Sequence, residues 1–171
     1  MVFDRFGEVD SSVFRSSIPR TSEDVDFLVS KGISDIISFE LAEKKVAEYA
    51  KSKGIRLHDF SVIDQDFLPD KKEATTFFKI IKAAELTGGK VLLHCHAGLQ
   101  RTGLMVAVYL VGKGVHPLQA YQRAGTAEAV IKEPLMREAN ALKDLYTSIR
   151  KERPQLRRAR STKKEPRRRL K

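Results

Sequence analysis

Residues 90–103 read KVLLHCHAGLQRTG, and this stretch decides the fold of the chain. Its first part, residues 90–94, is a short apolar run that follows two glycines, which predicts a buried β-strand. A glycine-containing loop comes next, and residues 102–112 then carry apolar side chains on nearly every side, which predicts a buried central helix. A strand, a tight loop and a helix in this order indicate an α/β protein.

The loop between this strand and this helix has the composition of a binding site for a tetrahedral anion. Successive backbone N–H groups over residues 97–101 can point inward, and the following helix adds its positive dipole end. The same field lowers the pKa of the Cys95 thiol and makes Cys95 a nucleophile that faces the anion. Arg101 can hold two phosphoryl oxygens with its planar guanidinium. Gly98 and Gly103 permit backbone geometry that a side chain would obstruct.

The segment HCHAGLQRTG resembles the HCxxGxxR[ST]G signature of the cysteine-dependent protein tyrosine phosphatase superfamily, and it matches every fixed position. The resemblance extends more loosely over residues 13–150, with the short length of the compact dual-specificity branch. It implies an α/β fold with a central, mostly parallel sheet flanked by helices and a Cys-x5-Arg phosphate-binding loop. It also implies a two-step reaction: Cys95 attacks phosphorus, a phosphocysteine forms, and water hydrolyses it without a metal ion or other cofactor.

The resemblance implies a specific role for each of several loop residues. Cys95 is the nucleophile, Arg101 binds the phosphoryl group, and the Thr102 hydroxyl stabilises the thiolate when it becomes the leaving group. His94, at the end of the strand, is expected to orient the loop by hydrogen bonds rather than to act as a base. The residues expected to surround the phosphate are His96, Ala97, Gly98, Leu99, Gln100 and Arg101.

An aspartate is needed to protonate the departing oxygen, and the resemblance places it on a loop some thirty residues before the cysteine. Asp66 lies 29 residues before Cys95, and the string DFLP at 66–69 resembles the Asp-Phe-x-Pro form of several small relatives. Asp66 is therefore preferred. Asp64 is the alternative because a one-residue difference in the loop could exchange the two, and Asp70 ranks third.

The substrate is less clearly indicated than the reaction. Protein phosphotyrosine is the leading hypothesis, with phosphoserine and phosphothreonine as further candidates. A phosphoinositide or an RNA 5′ end is the alternative, because relatives that act on such substrates often carry polar or basic groups where this chain has His96 and Gln100. Residues 123–128 do not reproduce the Arg-Pro-Gly segment and downstream glutamine of the small protein phosphatases.

The rest of the chain alternates short β-branched runs with amphipathic stretches. Residues 1–150 are predicted to form one catalytic domain, and residues 151–171 a basic tail. The predicted strands are an edge strand at 13–15 and buried or alternating strands at 33–39 and 55–60. The predicted helices cover 21–31, 41–53, 71–86, 117–124 and 133–150, with a polar loop at 64–70.

The net charge of +10 resides in the last 22 residues, the basic tail together with Arg150. Residues 150–171 hold 12 of the 32 basic and 2 of the 22 acidic residues, which leaves residues 1–149 balanced at 20 of each. The high pI therefore does not predict a positive catalytic surface. The tail has little to bury and is expected to be extended or disordered unless bound. Two hypotheses remain open for it: attachment to nucleic acid or an acidic membrane surface, and a solvated end without a partner.

A single cysteine, Cys95, argues against internal disulfides and multi-cysteine metal sites. A reducing, cytoplasmic location is expected, or a nuclear one if the source is eukaryotic. No apolar run approaches the about 20 residues that a membrane-spanning helix needs, and the first residues lack the pattern of a secretory signal.

Overall fold

The computed structural model describes residues 4–63, 66–125 and 132–152. The helices and strands alternate along most of the chain. The strands are β1 (Gly7–Glu8), β2 (Val13–Ser16), β3 (Ile33–Ser38), β4 (Arg56–Asp59) and β5 (Lys90–His94). The helices are α1 (Ser22–Ser30), α2 (Lys44–Ser52), α3 (Lys71–Leu86), α4 (Gln100–Gly112), α5 (Pro117–Ala124) and α6 (Lys132–Lys151).

The strands form one sheet in the order β1-β2-β5-β3-β4. Strands β2, β5, β3 and β4 are parallel, and only β1 pairs in the antiparallel sense, with β2. Helices flank the sheet, so the predicted mostly parallel α/β fold is confirmed. No helix in residues 4–63, 66–125 or 132–152 has the length and apolar character to cross a membrane.

The central strand β5 explains the two-sided core. Side chains alternate along a strand, so Val91 and Leu93 join the apolar cluster beneath α3, α4 and α6, whereas Leu92 joins the cluster beneath α1 and α2. Helix α4 is buried continuously from Thr102 to its end. The prediction of a buried central helix is therefore confirmed.

Three predicted elements differ from the structure. The strand predicted at the sheet edge, β2, is internal, because the two-residue strand β1 pairs with its free side. Helix α2 begins at Lys44 rather than at residue 41, and α4 begins at Gln100 rather than at residue 102. Neither helix start has a side-chain capping bond, so the sequence does not mark where these helices begin.

The sheet topology brings the carboxyl ends of three strands together. Ser16 and Ser38 both lie opposite His94 in the register of the parallel ladder. The residues that follow β2, β3 and β5 therefore meet at one edge of the sheet, which is where ligands bind in parallel α/β folds.

Candidate active site

The loop from Cys95 to Leu99 leaves the end of β5 and runs into the first turn of α4. Its backbone is tied to both neighbours of β5. The N–H of Phe39, after β3, donates to the His94 carbonyl at 2.9 Å, and the N–H of Ile18, after β2, donates to the His96 carbonyl at 3.1 Å. The loop is therefore held at both sides by the sheet that precedes it.

A cavity of about 410 Å³ opens at this loop. The described residues that line it are Cys95, His96, Ala97, Leu99, Gln100, Arg101 and Gly125. The structure thus brings together the predicted nucleophile, the predicted arginine and most of the predicted phosphate-binding residues. Gly98 lies in the same loop behind this lining.

Gly98 has a geometry that only glycine tolerates. Its φ is +70°, and a Cβ atom placed on it would lie 2.5 Å from the carbonyl oxygen of Ser16. Both the left-handed conformation and the close approach of the β2 backbone exclude a side chain. The loop therefore packs directly against the backbone at the end of β2.

The Cys95 thiol is nearly buried, with 4% of the residue exposed. Burial raises its pKa, but the Thr102 hydroxyl and the backbone N–H groups of Thr102, Gly98 and Leu99 act in the opposite direction, and the pKa lies below its ordinary value. The same groups that would hold phosphoryl oxygens therefore stabilise the thiolate. Thr102 itself is fully buried in the first turn of α4.

Arg101 is held from behind. Its Nη1 donates to the Phe39 carbonyl at 2.5 Å, and its Nη2 donates to Glu40 Oε2 at 2.5 Å. A guanidinium has five N–H donors, and the described part of the chain accepts from two of those of Arg101. Glu40 also accepts from His96, whose Nδ1 lies 3.1 Å from Glu40 Oε1. One carboxylate therefore ties the arginine to the rim of the cavity.

His94 is buried and lies behind the loop. Its Nε2 is 2.9 Å from the Ser38 hydroxyl on the neighbouring strand. Desolvation lowers the pKa of His94 to about 4, so the imidazole is neutral near pH 7. These contacts fit a residue that joins β5 to β3 at the base of the loop.

The three candidate acids have different surroundings. Asp66 lies in an exposed turn before α3 and is not among the described residues that line the Cys95 cavity. Asp64 lies outside the described residues. Asp70 is the N-cap of α3: its side chain accepts from the Glu73 N–H at 2.7 Å, and the Glu73 carboxylate accepts from the Asp70 N–H. This reciprocal capping box accounts for Asp70 as a structural residue.

A protein-family model described as "Swiss Army Knife protein, DSP-PTPase phosphatase domain" matches residues 9–166. The chain belongs to this family. Residues 9–166 form a cysteine-dependent phosphatase domain of the protein tyrosine phosphatase superfamily, in the dual-specificity branch, which confirms the prediction from the loop signature.

A curated relative of this DSP-PTPase matches a smaller part of the chain than the family model does. A probable protein tyrosine phosphatase type IVA B from Dictyostelium discoideum is 35% identical over 74 residues, which is 41% of this chain and 45% of that protein. The match thus spans less than half of that relative's length.

Two solved structures share the fold at lower identity. PTPMT1 in complex with PI(5)P has a TM-score of 0.67 at 16% identity, over 82% of this chain and 98% of the other. TpbA from P. aeruginosa in complex with pTyr has a TM-score of 0.58 at 22% identity, over 88% of this chain and 98% of the other.

Two residues that contact the loop of this DSP-PTPase are not predicted from the sequence. Glu40 contacts Arg101 and His96, and Arg15 donates from β2 to the Gly98 carbonyl. Both lie at or just beyond the carboxyl end of a parallel strand next to β5. Position at that edge was the available signal, but it depends on knowing which strands are neighbours.

The remaining candidates divide between the described and undescribed parts of the chain. Gln100 lines the cavity and begins α4. Of residues 123–128, Arg123 and Ala124 end α5, and Gly125, the C-cap of that helix, reaches the cavity wall. Residues 126–131 lie outside the described residues, as does most of the basic tail.

Proposed function

We propose that this DSP-PTPase hydrolyses phosphomonoesters on proteins, phosphotyrosine foremost, through a phosphocysteine intermediate. The observation that carries the proposal is the convergence on one 410 Å³ cavity of a thiol with a lowered pKa and an arginine with donors to spare. A nucleophile and an anion clamp that share a cavity form the minimum needed for phosphoryl transfer to sulfur.

Substrate binding uses the donors that already stabilise the thiolate. The backbone N–H groups of Gly98 and Leu99 help to lower the pKa of the Cys95 thiol, and an entering phosphoryl group can accept from the same nest. The Arg101 donors left over from Phe39 and Glu40 supply charge-assisted bonds to two phosphoryl oxygens.

In the first step, the Cys95 thiolate forms a bond to phosphorus as the bond from phosphorus to the ester oxygen breaks. The electron pair leaves on that oxygen, and Asp66 in its acid form delivers the proton. In the second step, water attacks phosphorus, the S–P bond breaks, and the Asp66 carboxylate accepts the proton from water. Phosphate is released, and the Thr102 hydroxyl stabilises the restored thiolate.

Asp66 remains the preferred acid because it lies in an exposed turn, 29 residues before Cys95 and within the string DFLP. The proposal requires this carboxyl to come within hydrogen-bond distance of the ester oxygen once substrate is bound. Asp66→Asn should lower kcat by about 100-fold or more for an alkyl or phosphotyrosine ester. The loss should be much smaller for p-nitrophenyl phosphate, whose leaving group needs little protonation.

Two matched variants make this test specific. Asp70→Asn keeps a good N-cap residue and should leave kcat unchanged for both kinds of ester. If Asp64→Asn shows the leaving-group dependence and Asp66→Asn does not, the assignment moves to Asp64.

The charge at the rim supports a protein substrate over a polyphosphoinositide. Glu40 places a carboxylate beside Arg101 and His96, and this carboxylate repels further phosphate groups on a headgroup that already carries one in the cavity. PTPMT1 and TpbA, with PI(5)P and pTyr bound respectively, show that the fold accommodates both ligand classes. The preference for a protein substrate therefore rests on the Glu40 carboxylate beside the cavity and not on the fold.

A substrate panel tests the proposal directly. Wild type and Cys95→Ser would be compared on phosphotyrosine, phosphoserine and phosphothreonine peptides, on phosphoinositide vesicles and on 5′-phosphorylated RNA. We expect the highest kcat/KM on phosphotyrosine peptides, and capture of those peptides by Cys95→Ser without turnover. A higher kcat/KM on vesicles or RNA overturns the substrate assignment, and unchanged activity in Cys95→Ser overturns the mechanism.

A further inference from the structure

Arg15 connects two backbone segments that border the active site. From the internal strand β2, its Nη2 donates to the carbonyl of Gly98 at 2.6 Å, and its Nη1 donates to the carbonyl of Ala124. Ala124 is the last residue of α5, where carbonyl groups lack partners within the helix. One planar guanidinium therefore joins the phosphate-binding loop to the end of α5. The loop signature does not include this residue.

The bond to Gly98 determines which way one peptide of the loop faces. In a planar trans peptide the C=O and the following N–H point in opposite directions. Arg15 holds the Gly98 carbonyl on the outer side of the loop, and the N–H of Leu99 in the same peptide stabilises the Cys95 sulfur on the inner side. If this peptide turned over, the thiolate would lose a donor and face a carbonyl oxygen instead.

The charge of Arg15 is also directed at the site. Within residues 4–63, 66–125 and 132–152, Arg15 forms no ion pair with a carboxylate. Burial lowers the pKa of its guanidinium, the negative Cys95 thiolate raises it, and Arg5 nearby lowers it. A partly buried cation without a carboxylate partner thus has the thiolate as its attractive charge.

We propose that Arg15 is a positioning residue of the phosphatase reaction: it holds the Gly98–Leu99 peptide with its N–H toward Cys95 and anchors the loop to the end of α5. Lysine cannot replace it, because a single ammonium on a flexible stem lacks the planar fork that reaches two carbonyl oxygens at once. The inference rests on the proposed function in taking Cys95 as the nucleophile.

The experiment measures the pH midpoint for alkylation of Cys95 by iodoacetamide, a neutral reagent whose reaction requires the thiolate but not catalysis. Arg15→Gln and Arg15→Lys are compared with wild type, and Arg56→Gln is the matched control. Arg56 is the first residue of β4 and donates two hydrogen bonds to Asp35 on β3. This pair lies toward the end of the parallel strands opposite to Cys95. Aryl phosphate turnover and thermal melting are followed in parallel.

We expect Arg15→Gln to raise the alkylation midpoint by about one pH unit and to lower kcat/KM by about 10-fold or more, the size of one weakened hydrogen bond to a charged group. Arg15→Lys should show at least half of the midpoint shift, and Arg56→Gln should show none. An unchanged midpoint in Arg15→Gln overturns the proposal. Wild-type values in Arg15→Lys overturn it as well, because charge alone would then suffice.

If Arg15→Gln does not fold, Arg15→Lys still tests the proposal. Lysine keeps an aliphatic side chain and a positive charge, but it cannot form both hydrogen bonds to the carbonyls of Gly98 and Ala124. The readouts separate the two proposals. If wild type hydrolyses no phosphomonoester, the proposed function fails, yet the alkylation midpoints still decide whether Arg15 orients the loop.

Discussion

Gly98→Ala should destabilise the protein in two ways: it forces alanine into a left-handed backbone conformation, and it places a Cβ atom against the backbone of β2. At φ +70° an alanine adopts the left-handed region, which costs about 1–2 kcal/mol. The new Cβ also meets the backbone of Ser16 and Ser17 at 2.5–2.7 Å. Overpacking of this kind costs about 1–3 kcal/mol more. We therefore expect the free energy of unfolding to fall by about 2–5 kcal/mol.

Gly88→Ala supplies the matched control. Gly88 has φ +71°, and a Cβ atom there would meet nothing within 4 Å. This variant should lose only the conformational part, about 1–2 kcal/mol. Chemical denaturation of both variants at constant pH gives the two free energies, and their difference isolates the contact with β2.

Catalysis should divide the pair more sharply than stability does. In Gly98→Ala the loop must move away from Ser16, and the N–H groups of residues 98 and 99 lose their aim at the phosphoryl group. Loss of one such donor lowers kcat by about 100-fold or more, whereas Gly88→Ala should retain wild-type kcat. Equal destabilisation of the two variants, together with full activity of Gly98→Ala, would refute the reasoning.

Three further predictions concern the rim, the thiolate and the tail. Glu40→Gln removes the charged anchor of Arg101 and should raise KM for an aryl phosphate several-fold in steady-state kinetics, whereas Glu43→Gln, at an exposed neighbour without a capping bond, should not. Because the folded pKa of Cys95 is lowered, the thiolate is present above that pKa and is lost as pH falls through it. The alkylation midpoint should therefore lie below the ordinary value of about 8.5 and rise by about one unit in Thr102→Val; a midpoint at the ordinary value contradicts this. Deletion of residues 155–171 should leave aryl phosphate kcat/KM unchanged, and a salt titration of RNA binding that is identical with and without them would exclude the nucleic-acid role.

Much of the fold follows from local patterns in the sequence. The apolar runs at 90–94 and 102–112 predict a strand and a helix, and acidic residues and terminal glycines mark further helices. These signals can be interpreted from the sequence because side-chain periodicity and turn residues act over a few positions. Where no capping residue marked a boundary, as at Lys44 and Gln100, the helix starts were misplaced. The position of β2 inside the sheet was also misjudged, because strand order depends on pairing between distant segments.

The sequence by itself identified a cysteine-dependent phosphatase, because Cys95, Gly98 and Arg101 of the loop signature lie within seven consecutive residues. Only the tertiary structure decided what stands behind that loop. Glu40 and Arg15 lie 55 and 80 positions before Cys95, and they meet the loop because three parallel strands end at one edge of the sheet. Packing of the chain, rather than any local motif, thus sets the hydrogen bonds that orient Arg101 and the Gly98 peptide.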